Sequence, residues 1–529
     1  MLGSGAAQRF ELVLLLVAAA IPLELLARRL RLPSAGSLLL GGIVLALIPG
    51  TPEIAIDPAL ILILFLPPLL QAGAFYTSWR DFRADLRIIT QLAVGAVVFT
   101  TLAVGWVTHL VLPSLPWGAC FALGAIVSPP DAVAAKAVLQ GVTLPRRVVL
   151  LLEGESLVND ATGLVLLRFA VVAALTGVFD LGEAALTFVV LAVGGVAVGA
   201  ACGWLAFFIG GRIRDPALCI AVSFLSAWGS FIVADGLNLS GVLATVACGL
   251  VTGSRQHGII DAATRLRARA TWDVIVFLLE SLVFILIGLA LRGILARLGG
   301  WEGMLRLAPV IGAIVLAVIV SRFLWILPTT YLVRALIPSL RRRDPYPPLS
   351  TPIVMSWAGM RGPVSLAAAL GLPDHFPGRD FILAATFAVI LATVLVQGAS
   401  LAPLIRITNP RYFDLVRAPR LSEHQARALV AEAELAAVER LARTEDGRML
   451  HPRLLEQYTY RAEAAGRFSE AADELAPRRK EHFSVVLSAI AAGRAELLDL
   501  YRQAKIDDEV MRALEFELDL QEENARRGA

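Results

Sequence analysis

The chain has 529 residues, of which 57% are hydrophobic and only 17% charged, with a mean hydropathy of +0.72. A soluble globular chain carries about 25% charged residues, so this composition excludes an ordinary soluble enzyme, a disordered chain and a coiled coil. The net charge of +3 leaves no basic footprint for nucleic acid, and no nucleic-acid partner is expected.

Charge is unevenly distributed. Residues 411–529 hold 19 basic and 23 acidic side chains, and residues 1–410 the other 28 basic and 21 acidic. The contrast predicts a membrane domain over 1–410 and a charged, water-soluble tail over 411–529. Cys120, Cys202, Cys219 and Cys248 lie in apolar stretches without paired spacing, which predicts buried free thiols. The N-terminus lacks a basic region and a small-residue cleavage site, so the first apolar run is expected to be retained.

A spanning helix needs about 20 apolar residues. In chain order, thirteen candidates run at about 10–27, 34–49, 58–76, 87–111, 117–140, 147–175, 183–210, 216–234, 238–253, 272–291, 303–333, 352–371 and 380–405. With the N-terminus outside, the alternate loops on the inner side carry 18 arginines, from Arg28 to Arg343, against Arg292, Arg297 and Arg379 on the other. Positive residues stay cytoplasmic, so the N-terminus is expected outside and the tail inside. All-α architecture with an odd number of spans follows.

Two spans are interrupted near their middles. The fifth contains Ser128-Pro129-Pro130-Asp131 and the twelfth Gly359-Met360-Arg361-Gly362-Pro363. Proline removes a helical hydrogen bond, and irregular backbone at that depth is tolerated only beside protein or a watery cavity. The interruptions lie seven spans apart, an odd number, so a repeat relating them has inverted topology. Paired broken helices in inverted repeats mark the substrate site of secondary transporters.

The sixth span reads Leu151-Leu152-Glu153-Gly154-Glu155-Ser156-Leu157-Val158-Asn159-Asp160-Ala161-Thr162-Gly163. Ionised groups inside a bilayer are costly and are functional candidates by default. Ser156 and Asp160 share a helix face, as do Glu155 and Asn159. Glu153 is either interfacial or part of the cluster, and the bland alternative for Asp160 is an ion pair with Arg168. With Asp131 and freed carbonyls of the fifth span, these hard oxygens suit a cation such as Na⁺. Desolvation pushes carboxylates toward neutrality, and a carboxylate poised there takes either a proton or a cation, which is sufficient for exchange.

The Glu-Gly-Glu-Ser-Leu-Val-Asn-Asp run, the Ser-Pro-Pro-Asp break and Gly-Met-Arg-Gly resemble the monovalent cation:proton antiporter-1 family, the bacterial sodium/proton exchangers. Leu66-Pro67-Pro68-Leu69-Leu70, Ser240-Gly241-Val242-Leu243-Ala244 and Phe284-Ile285-Leu286-Ile287-Gly288 match as well, so the resemblance spans residues 10–406.

The resemblance implies that Asp160 carries the ion and the proton. Glu155 and Ser156 would help coordinate the cation, so the implied metal-binding set is Asp160, Glu155 and Ser156. Asp131 would reach the ion through water, and Pro130 would offer a backbone carbonyl. Asn159 stands where charge-moving relatives have a second aspartate, which implies electroneutral exchange. Arg361 would compensate broken helix ends, and Arg322 would be structural. A homodimer in the inner membrane, in contact with lipid and with no cofactor beyond the transported ions, is further implied.

In one place the chain departs from the family pattern. Where many relatives carry a glutamate after Pro-Pro-Leu-Leu, this chain has Gln71-Ala72-Gly73. Glu280, central in the tenth span, is the expected replacement partner for Arg322, directly or through Asn159, and its alternative is a second ion ligand or a place facing a watery crevice. Lys136 is expected to snorkel to the cytoplasmic surface, and His109, His257 and His375 are expected to be solvated rather than pH-sensing. The tail lacks Gly-x-Gly-x-x-Gly and carries apolar stripes over Ala426–Arg443 and Phe483–Glu523. It reads as amphipathic helices, either a solubilising bundle or a regulatory domain. A cation channel is the rival among transport proteins. An intramembrane enzyme is disfavoured because His-Glu-x-x-His, Gly-x-Ser-x-Gly and a paired aspartate dyad are absent from the sequence.

Overall fold

The computed structural model describes residues 4–30, 33–49, 58–131, 144–177, 180–256, 261–408, 421–442, 449–503 and 505–528. Lys136, His257 and the second half of the interrupted fifth span lie outside the described residues. The chain divides into two compact units, Met1–Val416 and Arg417–Ala529. Among the described residues there is no β-strand.

The first unit contains α1 (Ser4–Leu30), α2 (Ser34–Leu47), α3 (Pro58–Tyr76), α4 (Leu86–Val111), α5 (Trp117–Val127), α6 (Arg146–Thr176), α7 (Leu181–Gly210), α8 (Pro216–Gly236), α9 (Gly241–Arg255), α10 (Ala262–Arg297), α11 (Trp301–Leu336), α12 (Ser350–Trp357), α13 (Pro363–Leu370) and α14 (Arg379–Thr408). Among the described residues seven helices are long and apolar enough to cross a membrane, and four shorter apolar helices accompany them. The chain is a multi-pass membrane protein on this ground.

Helix starts follow capping chemistry. Asp180 accepts the N–H groups of Gly182 and Glu183, Asp215 precedes Pro216 and accepts from Leu218, Ser240 accepts from Leu243, and Asp261 accepts from Thr264. Each satisfies donors that a helix start leaves unpaired. Gly177, at φ 71°, closes α6 in the left-handed conformation that a side chain disfavours.

Small residues set the close packing. Gly42 of α2 lies against the backbone of Ile285 and Gly288 in α10, and Gly199 of α7 against the backbone of Ala244 in α9. A Cβ at either glycine would strike backbone, so these helices approach as small-residue membrane interfaces do. The buried core runs through α5, α13 and α14, whereas α7 and α8 turn Leu186, Val193 and Leu225 outward at 66%, 63% and 69% exposure. In water such a surface would be untenable, and in lipid it costs nothing. All four cysteines are free thiols, two of them buried.

The second unit contains α15 (Glu423–Leu441), α16 (Pro452–Glu470), α17 (Ala472–Arg502) and α18 (Asp508–Gly528). A capping box between Ser422 and Gln425 starts α15. The apolar stripe expected over Phe483–Glu523 is shared by two helices, because the chain leaves the helix between Arg502 and Asp508. Helix α16 was not among the expected stripes, although Leu455, Tyr458, Ala462, Ala465 and Phe468 recur at helical spacing.

Candidate functional site

The site is built where irregular backbone from two spans meets. Helix α5 ends at Val127, and residues 128–131 are not helical. Helix α12 ends at Trp357, residues 358–362 are not helical, and Pro363 starts α13 at its first turn, where a missing N–H does no harm. The two irregular stretches are joined directly, the Asp131 N–H donating to the Met360 carbonyl at 2.7 Å. Gly362 has no side chain because the Asp131 carboxylate occupies the space a Cβ would need. That carboxylate therefore sits at the N-terminal end of α13, where the helix dipole favours negative charge.

The opposite ends need positive charge, since broken helices expose carbonyls. Arg361, 0% exposed, supplies it. Its Nε donates to the Val127 carbonyl at 2.7 Å and its Nη2 to that of Ser128 at 3.3 Å, while Nη1 reaches the Gly359 carbonyl. One guanidinium thus serves the ends of both α5 and α12. Thr393 of α14 fixes its backbone by accepting the Arg361 N–H at 3.1 Å, a support the sequence did not signal.

Helix α6 crosses this region. Gly163 packs on Pro129 and Gly154 on Ile89, so the polar turn between them is pressed against the α5 break. Asn159, fully buried, donates from Nδ2 to the Pro130 carbonyl at 2.5 Å. Pro130 therefore offers that oxygen to Asn159, and Asn159 is a fastener between α6 and the break. Asp160 and Ser156, together with Asp131, line one cavity of about 830 Å³. Glu24, Glu153, Asp273 and Glu280 add carboxylates to the same walls, and Arg28 and Arg269 add positive charge. Asp160 also borders a second, small void of about 10 Å³ lined by residues such as Ile126, Leu164, Leu167 and Ala368, barely room for one water. Arg168, the bland partner for Asp160, is exposed.

Two sequence expectations need correction. Glu155 is not among the residues lining the cavity. Both its oxygens accept from Arg322, from Nη1 at 2.6 Å and from Nη2 at 3.1 Å, with each partner about 1% exposed. Glu280 is not that partner: it lies on the cavity wall instead. The physical reason is reach. Helix α11 faces α4 and α12, and Arg322 also donates to the Met355 carbonyl at 3.1 Å, which holds its guanidinium on the α6 side of the break. Gln71, in the stretch where relatives carry a glutamate, is also turned elsewhere, donating to Ser226 Oγ at 3.3 Å.

A second charged cluster, unforeseen from sequence, ties the loop ends beside this site. Arg147 holds Asp85 at 2.8 Å and Asp344 at 2.9 Å. Arg334 reaches the other Asp344 oxygen at 2.6 Å and its backbone carbonyl at 3.0 Å, with Arg87 at 3.5 Å. Burial alone would raise the Asp344 carboxyl, but hydrogen bonds and charge from Arg147 and Arg334 hold it below the ordinary carboxylate range. Acidic residues among basic loop residues were the available signal. Of the histidines, His109 stacks on Trp117 at 4.0 Å, and His375 is exposed.

The model of the sodium/hydrogen exchanger transmembrane family matches residues 13–407. The chain belongs to the sodium/hydrogen exchanger family. Among its relatives is an uncharacterised Na⁺/H⁺ exchanger of Mycobacterium tuberculosis, 35% identical, the alignment covering 96% of this chain and 95% of that protein. A sodium, potassium, lithium and rubidium/H⁺ antiporter of Bacillus pumilus is 31% identical over 88% of this chain and 70% of its own. The fold resembles that of the sodium/proton antiporter MjNhaP1 from Methanocaldococcus jannaschii, with a TM-score of 0.60 at 21% identity, over 75% of this chain and 98% of that one. In this exchanger the family's motif residues fall at the crossing just described.

Proposed function

We propose that the chain is an antiporter exchanging Na⁺, or another monovalent cation, for H⁺ across the inner membrane, electroneutrally and by alternating access. The observation that carries this reading is a cavity of about 830 Å³ lined by Asp160, with Asp131 and Ser156 on its walls. A carboxylate reached from one side at a time, and able to hold either a proton or a cation, exchanges them without leak. A channel would need both sides open together. Arg28 and Arg269 line the cavity from helix ends that the charge bias assigns to the cytoplasm, which supports reading the cavity as inward-facing, with the N-terminus outside and the tail inside.

The cation is a substrate here, taken by Asp160, with Ser156 and Asp131 beside it. Glu155 supports the site through Arg322 rather than ligating the ion. Asn159 is uncharged and engaged by Pro130, which leaves one carrier carboxylate on this turn and one charge each way. The inverted relation of the two interrupted spans supplies the outward state, and exposed apolar faces such as that of α7 supply lipid contact and a homodimer interface. The names of the relatives support the class of transport, and that of the Bacillus protein supports testing several alkali cations.

The test is cation-dependent dissipation of a pH gradient in proteoliposomes, comparing Na⁺, K⁺ and Li⁺ with and without an imposed voltage. Exchange that is independent of voltage and abolished in Asp160→Asn, with folding retained, is expected. Cation-dependent proton flux in purified Asp160→Asn would remove Asp160 from the mechanism, and voltage-driven current would replace antiport by a channel or by electrogenic exchange.

A further inference from the structure

The walls of the Asp160 cavity carry two polar atoms that the exchange site does not use. Glu24 of α1 is 8% exposed and Ser281 of α10 1% exposed, and both residues line the cavity. Glu24 Oε1 accepts from Arg28 Nε at 2.9 Å and from Ser34 Oγ at 3.1 Å, whereas Oε2 is buried without a hydrogen-bond partner. Arg28 is 74% exposed, so water screens its charge and it neutralises Glu24 only in part. Ser281 Oγ is buried without a partner as well. An unmatched carboxylate oxygen or hydroxyl in a buried place is costly, and a ligand of the right charge removes that cost. The neighbouring carboxylates differ: Glu153 and Glu280 have partners of their own, and Asp273 is exposed.

Helix packing brings the two residues to one level. Gly42 of α2 lies against Ile285 and Gly288 of α10, and Arg292 of α10 donates to the Ile48 carbonyl at the end of α2 at 3.4 Å, so the two helices run parallel. Ser281, Ile285, Gly288 and Arg292 recur at spacings of four, three and four, which is one helix face, so Ser281 lies on the stripe turned to α2. In the same register Ser34, which holds Glu24, is level with residues 277–280 of α10. Glu24 and Ser281 are therefore within about one turn, about 5 Å, of each other along the helix axes. Glu24 is also one turn from Arg28, at the end of α1 that the charge bias places in the cytoplasm, so an ion entering from that side meets Glu24 before Asp160.

We propose that Glu24 Oε2 and Ser281 Oγ form an entry station for the transported cation, where a partly hydrated alkali ion is held before it passes to Asp160. A carboxylate oxygen and a hydroxyl are hard ligands suited to such an ion. Among the described residues no three His, Cys, Asp or Glu side chains cluster as a closed metal site, so water completes the shell. The station rests on the exchange reading above, to which it adds a stop on the inward side. A group that binds the ion without taking part in the exchange step sets KM rather than the maximal rate.

Exchange by the full-length protein is measured in proteoliposomes over a range of Na⁺ concentrations. Glu24→Gln keeps the acceptor for Ser34 and removes the charge. It is expected to raise KM for Na⁺ at least about fivefold with the maximal rate within about twofold, and Glu24→Asp to restore part of the loss. Ser281→Ala changes no charge and removes an unmatched hydroxyl, so it should be at least as heat-stable as the native chain and yet raise KM about two- to threefold. These two variants carry the test should Glu24→Gln not fold. Asp273→Asn removes the same charge from an exposed part of the wall and is expected to shift KM less. Binding is read separately, as Na⁺-dependent thermal stabilisation in detergent with choline as the control. The stabilisation that remains in Asp160→Asn should disappear in Glu24→Gln/Asp160→Asn. An unchanged KM in active Glu24→Gln or in Ser281→Ala, an equal shift in Asp273→Asn, no Na⁺-specific stabilisation of Asp160→Asn, or stabilisation that survives the double variant would overturn the station and leave the exchange reading standing. Exchange that persists in Asp160→Asn overturns that reading instead, and the thermal measurement then decides on the station by itself.

Discussion

Two of the charged clusters among the described residues of the membrane unit solve different problems. The interior one is a single bidentate pair, Glu155 with Arg322, out of reach of water, beside the lone Arg361. The outer one spreads Asp85, Asp344, Arg87, Arg147 and Arg334 over the ends of α4, α6 and α11 and the loop after α11, with several members partly exposed. In the interior a charge has no alternative partner, so each is matched one to one or spent on helix-end carbonyls. At the rim water shares the load, and charges can be shared among several residues. The interior pair should therefore be far more sensitive to loss of one partner than the rim cluster.

The largest effect is expected from breaking the interior pair. Removing one partner of a buried ion pair costs about 3–5 kcal/mol. Glu155→Gln and Arg322→Gln should each lower thermal stability in detergent by that order, and the double variant should lose less than the sum. Glu280→Gln should leave this cycle untouched, because Glu280 faces the cavity. An additive cycle, or coupling that moves to Glu280, would break the comparison on its interior side.

A smaller loss is expected at the rim. Asp85→Asn removes a carboxylate that accepts twice from Arg147, but Arg147 retains Asp344. A hydrogen bond to a charged group is worth about 1.5–3 kcal/mol, and the lower end applies where a partner remains. A loss equal to that of Glu155→Gln would show that rim and interior are equally dry.

The rim also gives a pH dependence. Asp344 lies in the loop between α11 and α12, and its carboxyl is held below the ordinary range, so it binds fewer protons folded than unfolded. Its contribution is fully present above the unfolded aspartate value of about 3.9 and is lost as pH falls through the lower folded value. Asp344→Asn should flatten the acid side of the stability profile below about pH 4 and leave the neutral side parallel. An unchanged acid limb would mean that Arg147 and Arg334 do not hold that charge in solution.

The smallest effect is expected from the tail. Truncation after about residue 415 removes no residue lining the Asp160 cavity, so the order of preference among Na⁺, K⁺ and Li⁺ should stay the same in the proteoliposome assay. A changed order would tie the tail to the ion site itself.

Much of the fold was legible because a membrane penalises irregularity. Any proline pair or carboxylate within a long apolar run must have a reason, so Ser128–Asp131, Gly359–Pro363 and Glu153–Asp160 stood out from residue type and spacing alone. The length of apolar runs likewise located most helices, while caps such as Asp180 and Asp215 emerged only in the structure. In the tail the same reading passed over α16, whose stripe is made of small and aromatic residues such as Tyr458, Ala462, Ala465 and Phe468, and merged α17 with α18.

What the sequence by itself determined was therefore which polar groups sit within apolar spans at unusual cost: Asp131, Glu155, Asn159, Asp160, Arg322 and Arg361. Which of them meet was decided only by the tertiary structure. Glu155 and Asp160 stand five residues apart on one helix, and a rotation of about 100° per residue points them to different neighbours. Asp160 thus opens onto the cavity and Glu155 onto Arg322, while Glu280, equally buried by sequence pattern, faces the cavity from another helix. Charge pairing in an apolar interior depends on distances of a few ångströms between helices remote in sequence. Composition and spacing record the need for a partner, and only packing selects it.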